Sequence, residues 1–218
     1  MDLDKRFDKY QWIDVDIVKA PRDPRPESYT PNIDSIKIIG SVPTKGRWQE
    51  RRSILEPLIA HCLCCIKDRQ LANGSPTLGL FRPAQIEDLT IEPTSSEWTS
   101  DELARLRRYD LFKKAPQKEL EKIPFKFSYS FRCDHSTCNG HSVSSTDWEM
   151  LESYRKWRVR YGDSWESKFR ETYERKMMEK YDTHFYVGNE LAHPKTWIIV
   201  GLFYPPLGPY QGALRWPN

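Results

Sequence analysis

The sequence predicts an α+β fold over residues 1–218, in which a mainly antiparallel, partly barrel-like sheet is flanked by helices rich in aromatic residues. Short segments that alternate apolar and polar residues have the period of two that marks a half-buried strand. Two later segments instead repeat aromatic residues every three or four positions, the spacing of an amphipathic helix. A single domain is expected, and a division into residues 1–95 and 96–218 is the alternative.

The N-terminal part predicts strands first and then a helix. Residues 10–20 (YQWIDVDIVKA) alternate in polarity as one strand, and a proline-rich loop leads to residues 35–42 (SIKIIGSV), a second strand that pairs with it. Apolar residues then follow helical spacing from Arg47 to Ile66, and Pro57 predicts either a kink or the first turn of a second helical segment.

The middle of the chain predicts three more strands and one helix. Residues 77–83 and 86–93 have strand character, and Thr99 with Glu102 has the spacing of a capping box at a helix start. Residues 124–133 (PFKFSYSFRC) alternate most regularly of all, with the aromatic residues on one face. The final cysteine of this segment is therefore expected at the end of a strand.

Two consecutive helices and a central strand complete the predicted fold. Thr146 with Glu149 and Asp163 with Glu166 each form a potential capping box, and an aromatic stripe follows each of them. Residues 197–203 are apolar on both faces, which is typical of a strand that is covered on each side.

The composition limits the possible functions. A formal charge of +3, from 34 basic and 31 acidic residues, gives no pervasive basic field, so any contact with DNA or RNA must be a local patch. No apolar run approaches the roughly 18 residues of a membrane span, and a cytoplasmic location is expected. The five cysteines fall in two groups, which favours a reducing compartment with free thiols or a bound metal.

The segment CDHSTCNGH, residues 133–141, is the strongest chemical motif. Zinc prefers cysteine and histidine ligands, and the C-x4-C-x2-H spacing with one additional histidine offers up to four donors. The predicted ligands are Cys133, His135, Cys138 and His141. Because nine residues must then supply all four ligands, His193, Asp134 or water is the alternative for the fourth position, and a polar turn without metal is the alternative to the whole site.

The other cysteine group, Cys62, Cys64 and Cys65, is interpreted as structural. Three thiols at nearly adjacent helical positions cannot all point to one ion. These residues are therefore expected to be small buried hydrophobic side chains.

A basic and aromatic patch is the candidate for nucleic-acid binding. Basic side chains that contact phosphates, with aromatic rings that stack on bases, are the chemistry of such a surface. The candidate residues are Arg47, Arg51, Arg52, Arg155, Lys156, Trp157, Arg158, Arg160 and Tyr161. The alternative is a solvated helix face whose arginines pair with neighbouring glutamates.

Asp147, Glu149 and His184 are the candidate site of a metal-dependent hydrolase or nuclease. A role at the helix start already explains Asp147 and Glu149, so the structural interpretation is favoured. No phosphate-binding G-x-x-x-x-G-K-[ST], no G-x-G-x-x-G and no G-x-S-x-G motif is present.

One resemblance covers nearly the whole chain. The ordered segments DPRPES, LGLFRP, IPFKFSYSFRCDHSTCNGH, DWE, THFYVGN and WIIVGLFYPP resemble a family of uncharacterised prokaryotic hypothetical proteins with no assigned activity. Family members begin with an additional β-rich segment, so the resemblance implies a shortened start here or a partner that supplies strands. The Cys/His loop is replaced by a cysteine-free turn in some of them, which argues against a catalytic metal.

These observations predict a non-catalytic accessory protein that binds nucleic acid or joins a complex and holds one structural zinc ion. A metal-dependent hydrolase is the first alternative. The second is a protein-interaction module or inhibitor that accepts a partner strand at the edge formed by residues 10–20.

Overall fold

The computed structural model describes residues 7–104 and 121–208. Two pairs of strands form small separate sheets, and seven further strands form one large sheet. In chain order the strands are β1 (Gln11–Asp14), β2 (Ile17–Lys19), β3 (Tyr29–Pro31), β4 (Lys37–Ser41), β5 (Ile59–Ala60), β6 (Leu78–Phe81), β7 (Gln85–Pro93), β8 (Phe125–Arg132), β9 (His141–Ser145), β10 (His184–Asn189) and β11 (Trp197–Phe203).

The large sheet has the order β5-β6-β10-β11-β9-β8-β7. The β5–β6 and β9–β11 pairs are parallel and the other neighbouring pairs are antiparallel. This mixed sheet and its helices confirm the α+β class. The sheet is open, with β5 and β7 at its edges, and it does not close into a barrel.

The helices are α1 (Lys45–Leu55), α2 (Leu63–Asn73), α3 (Trp148–Tyr161), α4 (Trp165–Arg170) and α5 (Lys176–Glu179), and a π-helical turn, Glu171–Arg175, joins the last two. Residues 100–104 are also helical. There the predicted capping box is confirmed, because Thr99 N–H donates to Glu102 Oε2 at 2.8 Å and Glu102 N–H donates to Thr99 Oγ1 at 3.3 Å.

The helical stretch from Arg47 to Ile66 is interrupted, and Pro57 lies in the first turn of a second segment, one of the two places predicted for it. Helix α1 ends at Leu55, a 3-10 turn that contains Pro57 follows, and β5 separates this turn from α2. Proline removes a backbone donor and clashes with the preceding turn, so α1 ends before Pro57. Helix α2 starts anew at its N-cap, Cys62. This start determines which neighbours the side chains of Cys64 and Cys65 contact.

The N-terminal sheets are small and partly exposed. Strand β1 pairs with β4, as predicted, and β2 pairs with β3, so the predicted strand over residues 10–20 is divided in two. Trp48, which has a left-handed backbone with φ of 64°, packs its ring 5.8 Å from that of Phe203 in β11. This contact joins α1 to the large sheet. Aromatic pairs at such distances stabilise a fold by more than the buried area of their rings alone.

Aromatic residues fill the core between the sheet and the later helices. Phe127, Tyr129 and Phe131 of β8 are almost completely buried, as the alternation predicted. Phe169 of α4 stacks on Phe127 with ring centroids 4.6 Å apart. Among the described residues, no helix has the length and apolar character needed to cross a membrane.

Candidate metal centre

Three of the predicted ligands lie together in the β8–β9 connection. Cys133 follows the last residue of β8, and His141 is the first residue of β9, where it is paired with Phe131. Between them a turn closes with a hydrogen bond from Cys138 N–H to His135 O at 3.0 Å. The hairpin therefore returns Cys138 and His141 to the side of Cys133.

The fourth member of the group is Cys64, in the first turn of α2. Its Sγ lies 3.2 Å from His141 Nε2, and Cys138 Sγ lies 3.5 Å from the same nitrogen. The donor atoms of Cys64, Cys133, Cys138 and His141 all lie within 4.8 Å of one another. In the described ranges 7–104 and 121–208, this is the one group of three or more such donors close enough to hold a metal ion.

The spacing of the donors suits a tetrahedral ion. Zinc bonds of about 2.3 Å to sulfur and about 2.0 Å to nitrogen place neighbouring donors roughly 3.5–3.8 Å apart. A maximum separation of 4.8 Å is only slightly wider, so small side-chain movements close the tetrahedron. Three sulfurs and one imidazole nitrogen are also a ligand set that structural zinc sites use. The four residues can therefore hold a metal ion such as zinc.

Burial opposes ionised thiols in this group. It raises the pKa of Cys64, where nearby Cys133 acts in the same direction, and it raises the pKa of Cys133 as well. The pKa of Cys138 is lowered instead, because the backbone N–H groups of Cys133 and Gly140 donate to its sulfur at 3.3 and 3.4 Å. A bound cation offsets the cost of several thiolates, since its charge favours their deprotonated forms.

His141 is suited to metal ligation. Burial, together with the positive charge of Lys67, lowers its pKa, which favours the neutral imidazole at pH 7. Neutral imidazole is the form that binds metals. Its ring also lies 5.2 Å from that of Phe131, and this contact helps to fix its orientation.

His135, the fourth predicted ligand, is not part of the group. Its Nδ1 instead contacts Thr137, 3.0 Å from Oγ1 and 3.4 Å from the backbone nitrogen. The alternative His193 lies in another turn, where its N–H donates to Glu190 O at 3.2 Å. The structure thus corrects the view of Cys64 as only a small hydrophobic residue, since a helix start brings its sulfur to the hairpin.

Two arginines of the predicted nucleic-acid patch on α3, Arg155 and Arg158, have hydrogen-bond partners inside the protein. Arg155 donates to Glu152 Oε1 at 2.5 Å and to the backbone oxygen of Glu121 at 2.8 Å, and Arg158 donates to the Glu121 carboxylate. The ring of Trp157 packs against Phe169, with centroids 6.2 Å apart. The remaining patch members here are the exposed Lys156, Arg160 and the partly buried Tyr161, whose ring lies 5.4 Å from the Arg160 guanidinium.

The arginines of α1 are also engaged within the chain. Arg51 donates to Val42 O at 2.8 Å and lies 3.8 Å above the ring of Tyr10. Arg52 forms an ion pair of 2.7 Å with Asp182. Arg47 donates to the backbone oxygen of Leu207, which follows β11. None of these contacts of the described α1 arginines is the glutamate pair that the structural interpretation expected.

The candidate hydrolase residues make structural contacts, and Asp147 and Glu149 share Lys9, whose Nζ lies 4.0 Å from Asp147 Oδ2. The two carboxylate oxygens of Asp147 accept from Met150 N–H at 2.9 Å and from Leu202 N–H at 3.0 Å. Glu149 pairs with Lys9 at 3.1 Å. His184 Nδ1 instead contacts the backbone oxygen of Asp182 at 2.9 Å.

The capping predictions at α3 and α4 need correction. Asp147, and not Thr146, is the N-cap of α3, and burial raises its pKa. Helix α4 begins after Ser164 without a side-chain cap, and Glu166 binds Arg170 at 2.8 Å. Aspartate is among the strongest N-cap residues, so it displaces the neighbouring threonine at α3.

Comparison with known families gives two matches. A domain of unknown function (DUF8757) matches residues 60–217, and a second domain of unknown function (DUF8758) matches residues 1–57. No curated protein and no solved structure matches the chain. The four residues of the metal-binding group all lie in the first match, whereas prokaryotic origin and the single-domain organisation stay predictions of the sequence.

Proposed function

Because the chain belongs to the DUF8757 family, a domain of unknown function, we propose its role from the chemistry of the Cys/His group. Cys64, Cys133, Cys138 and His141 bind one zinc ion, which fastens α2 to the β8–β9 hairpin. The observation that carries this proposal is the placement of four donors within 4.8 Å by two segments far apart in the sequence. The chain is, in this proposal, a non-catalytic protein with a structural zinc centre.

The ligand set favours zinc over other metals. Calcium and magnesium prefer oxygen ligands, and iron–sulfur clusters are most often held by four cysteines. Three cysteines with one histidine instead suit zinc in a closed tetrahedron. Catalytic zinc sites keep one position open for water or substrate, whereas this group fills all four positions from the protein. The closed set therefore favours a structural role.

The position of the group explains what zinc stabilises. Helix α2 follows β5, which is one edge strand of the large sheet. The hairpin joins β8 and β9, which lie next to the opposite edge strand, β7. Leu63 and Ile66 of α2 are only 1% and 2% exposed. A zinc bridge at the start of α2 therefore holds these buried side chains over the sheet by linking two distant parts of it.

Loss of one ligand sharply weakens zinc binding in this account. We expect Cys64→Ser to lower the zinc affinity by at least about a hundredfold, because the tetrahedral set loses one of its thiolates. The measurement is titration of metal-free protein with zinc in the presence of a competing chelator. Cys65→Ser is the matched control, since it removes a thiol one residue away and leaves all four ligands.

A second control separates the two candidates for the fourth ligand. His135→Ala retains the affinity of the unchanged protein if Cys64 completes the site, and loses affinity if the hairpin alone supplies the ligands. Equal affinities for Cys64→Ser and the unchanged protein would contradict the proposed ligand set. A folded Cys64→Ser variant, checked by circular dichroism, ensures that the comparison reports binding.

The nucleic-acid role predicted from the sequence has less support than the zinc centre. The internal partners of Arg52, Arg155 and Arg158 reduce the case for phosphate contacts. Neither matched family description mentions nucleic acid. Contact with DNA or RNA, and a protein partner at the N-terminal strands, therefore stay predictions of the sequence.

A further inference from the structure

Two cysteines beside the metal-binding group form a pair of their own. Cys62 and Cys65 bring their Sγ atoms to 2.7 Å, and Cys62 Sγ also accepts a hydrogen bond from Cys65 N–H at 3.1 Å. Neither sulfur belongs to the group of four donors. The first turn of α2 therefore carries a Cys-x-x-Cys pair in direct contact.

The surrounding topology is one that redox-active dithiols use. Strand β5, helix α2 and strand β6 follow one another, and the two strands pair in parallel, which makes a βαβ unit. The Cys-x-x-Cys pair lies where the helix of this unit begins. Disulfide oxidoreductases place their dithiols at the same position, at a helix N-terminus that follows a strand.

We propose that Cys62 and Cys65 are a redox-active dithiol that closes to an intramolecular disulfide on exposure to a mild disulfide oxidant such as oxidised glutathione. The two sulfurs are already in contact, so bond formation at about 2.05 Å needs only a small movement of the side chains. This site is separate from the proposed zinc ligands and does not depend on zinc being bound.

The difference in exposure of the two cysteine residues sets the order of the reaction. Cys62 is completely buried, whereas Cys65 is only partly buried, so the oxidant meets Cys65 first. The Cys65 sulfur attacks oxidised glutathione, forms a mixed disulfide and releases one reduced glutathione. The Cys62 sulfur then attacks the Cys65 sulfur and releases the second. Two electrons and both thiol protons leave with the two glutathione molecules.

Mass spectrometry of the metal-loaded protein tests this proposal. The protein is treated with oxidised glutathione, denatured, alkylated and sequenced by fragmentation. Of the five cysteines, we expect three to be alkylated and Cys62 to be joined to Cys65, with the loss of two hydrogen atoms. Cys62→Ser should retain a glutathione adduct on Cys65, because the attacking second sulfur is missing.

Cys65→Ser, which keeps all four proposed zinc ligands, is the second variant, and we expect its four remaining cysteines to be alkylated without a glutathione adduct, because Cys62 is completely buried. A bond that maps to Cys64, Cys133 or Cys138, or five alkylated cysteines after treatment, would overturn the proposal. Zinc content measured on the same samples separates this inference from the proposed function. Absence of zinc contradicts the metal centre alone, while absence of the mapped bond contradicts the dithiol alone.

Discussion

Removal of zinc by a strong chelator should lower the free energy of unfolding by about 4 kcal/mol, the stabilisation expected at a free zinc concentration about a thousandfold above Kd. The ion binds four ligands that are close together only in the folded chain, so binding energy appears as folding energy. For a chain of this size the loss corresponds to a fall in Tm of roughly 8–16 °C. Differential scanning calorimetry with and without chelator measures it.

Two controls make this result specific to the centre. The chelator should leave the Tm of Cys64→Ser unchanged, because that variant no longer holds the ion tightly. Added zinc should restore the Tm of the chelated unchanged protein. An unchanged Tm after zinc has been shown by elemental analysis to be gone would contradict a structural role, even if the ion binds.

The second large effect is expected at Asp147. Replacement by Ala leaves the buried N–H groups of Met150 and Leu202 without their acceptors, which are now 2.9 and 3.0 Å away. Loss of the helix cap costs about 1 kcal/mol, and a buried donor without a partner costs about 1–3 kcal/mol more. We therefore expect Asp147→Ala to lower the free energy of unfolding by roughly 2–4 kcal/mol in urea denaturation.

Asp147→Asn is the informative comparison for this residue. Its amide oxygen can accept from one N–H group, but its amide nitrogen then faces the other donor, so an intermediate loss of stability is expected. Glu149→Gln, which changes a more exposed carboxylate on the same turn, should have a much smaller effect. Asp147→Ala with unchanged stability would contradict the capping role and return this carboxylate to the list of candidate catalytic groups.

Local patterns predicted much of the fold. The alternation in residues 124–133 correctly assigned Phe127, Tyr129 and Phe131 to the core, because the side chains of a strand alternate between its two faces. The capping box at Thr99 was also visible in the sequence. The strand order of the large sheet was not, since it depends on contacts between strands far apart in the chain.

The metal centre was predictable only in part for the same reason. Cys133, Cys138 and His141 share one hairpin, so their spacing alone indicated a metal site. Cys64 lies on α2, which follows β5 at the opposite edge of the sheet from the hairpin. Its position therefore depends on where α2 begins after the break at Pro57. The three neighbouring thiols also do not act as one set. Cys62 and Cys65 contact each other, whereas Cys64 contacts His141 of the hairpin.

Electrostatic patterns were the least specific guide. The alternation of arginines and aromatic residues on α3 suits phosphate and base contacts, but it suits internal ion pairs equally well. The position of Glu121, which accepts from both Arg155 and Arg158, could not be read from the sequence of α3. Local charge spacing therefore does not distinguish a binding surface from a stabilised helix face.

Elemental analysis of the purified protein tests the central claim most directly. The unchanged protein, Cys65→Ser and His135→Ala should each contain one zinc ion per chain, whereas Cys64→Ser should contain less than about a tenth of that amount. One zinc ion per chain in folded Cys64→Ser, or zinc lost from His135→Ala alone, would contradict a centre formed by Cys64, Cys133, Cys138 and His141.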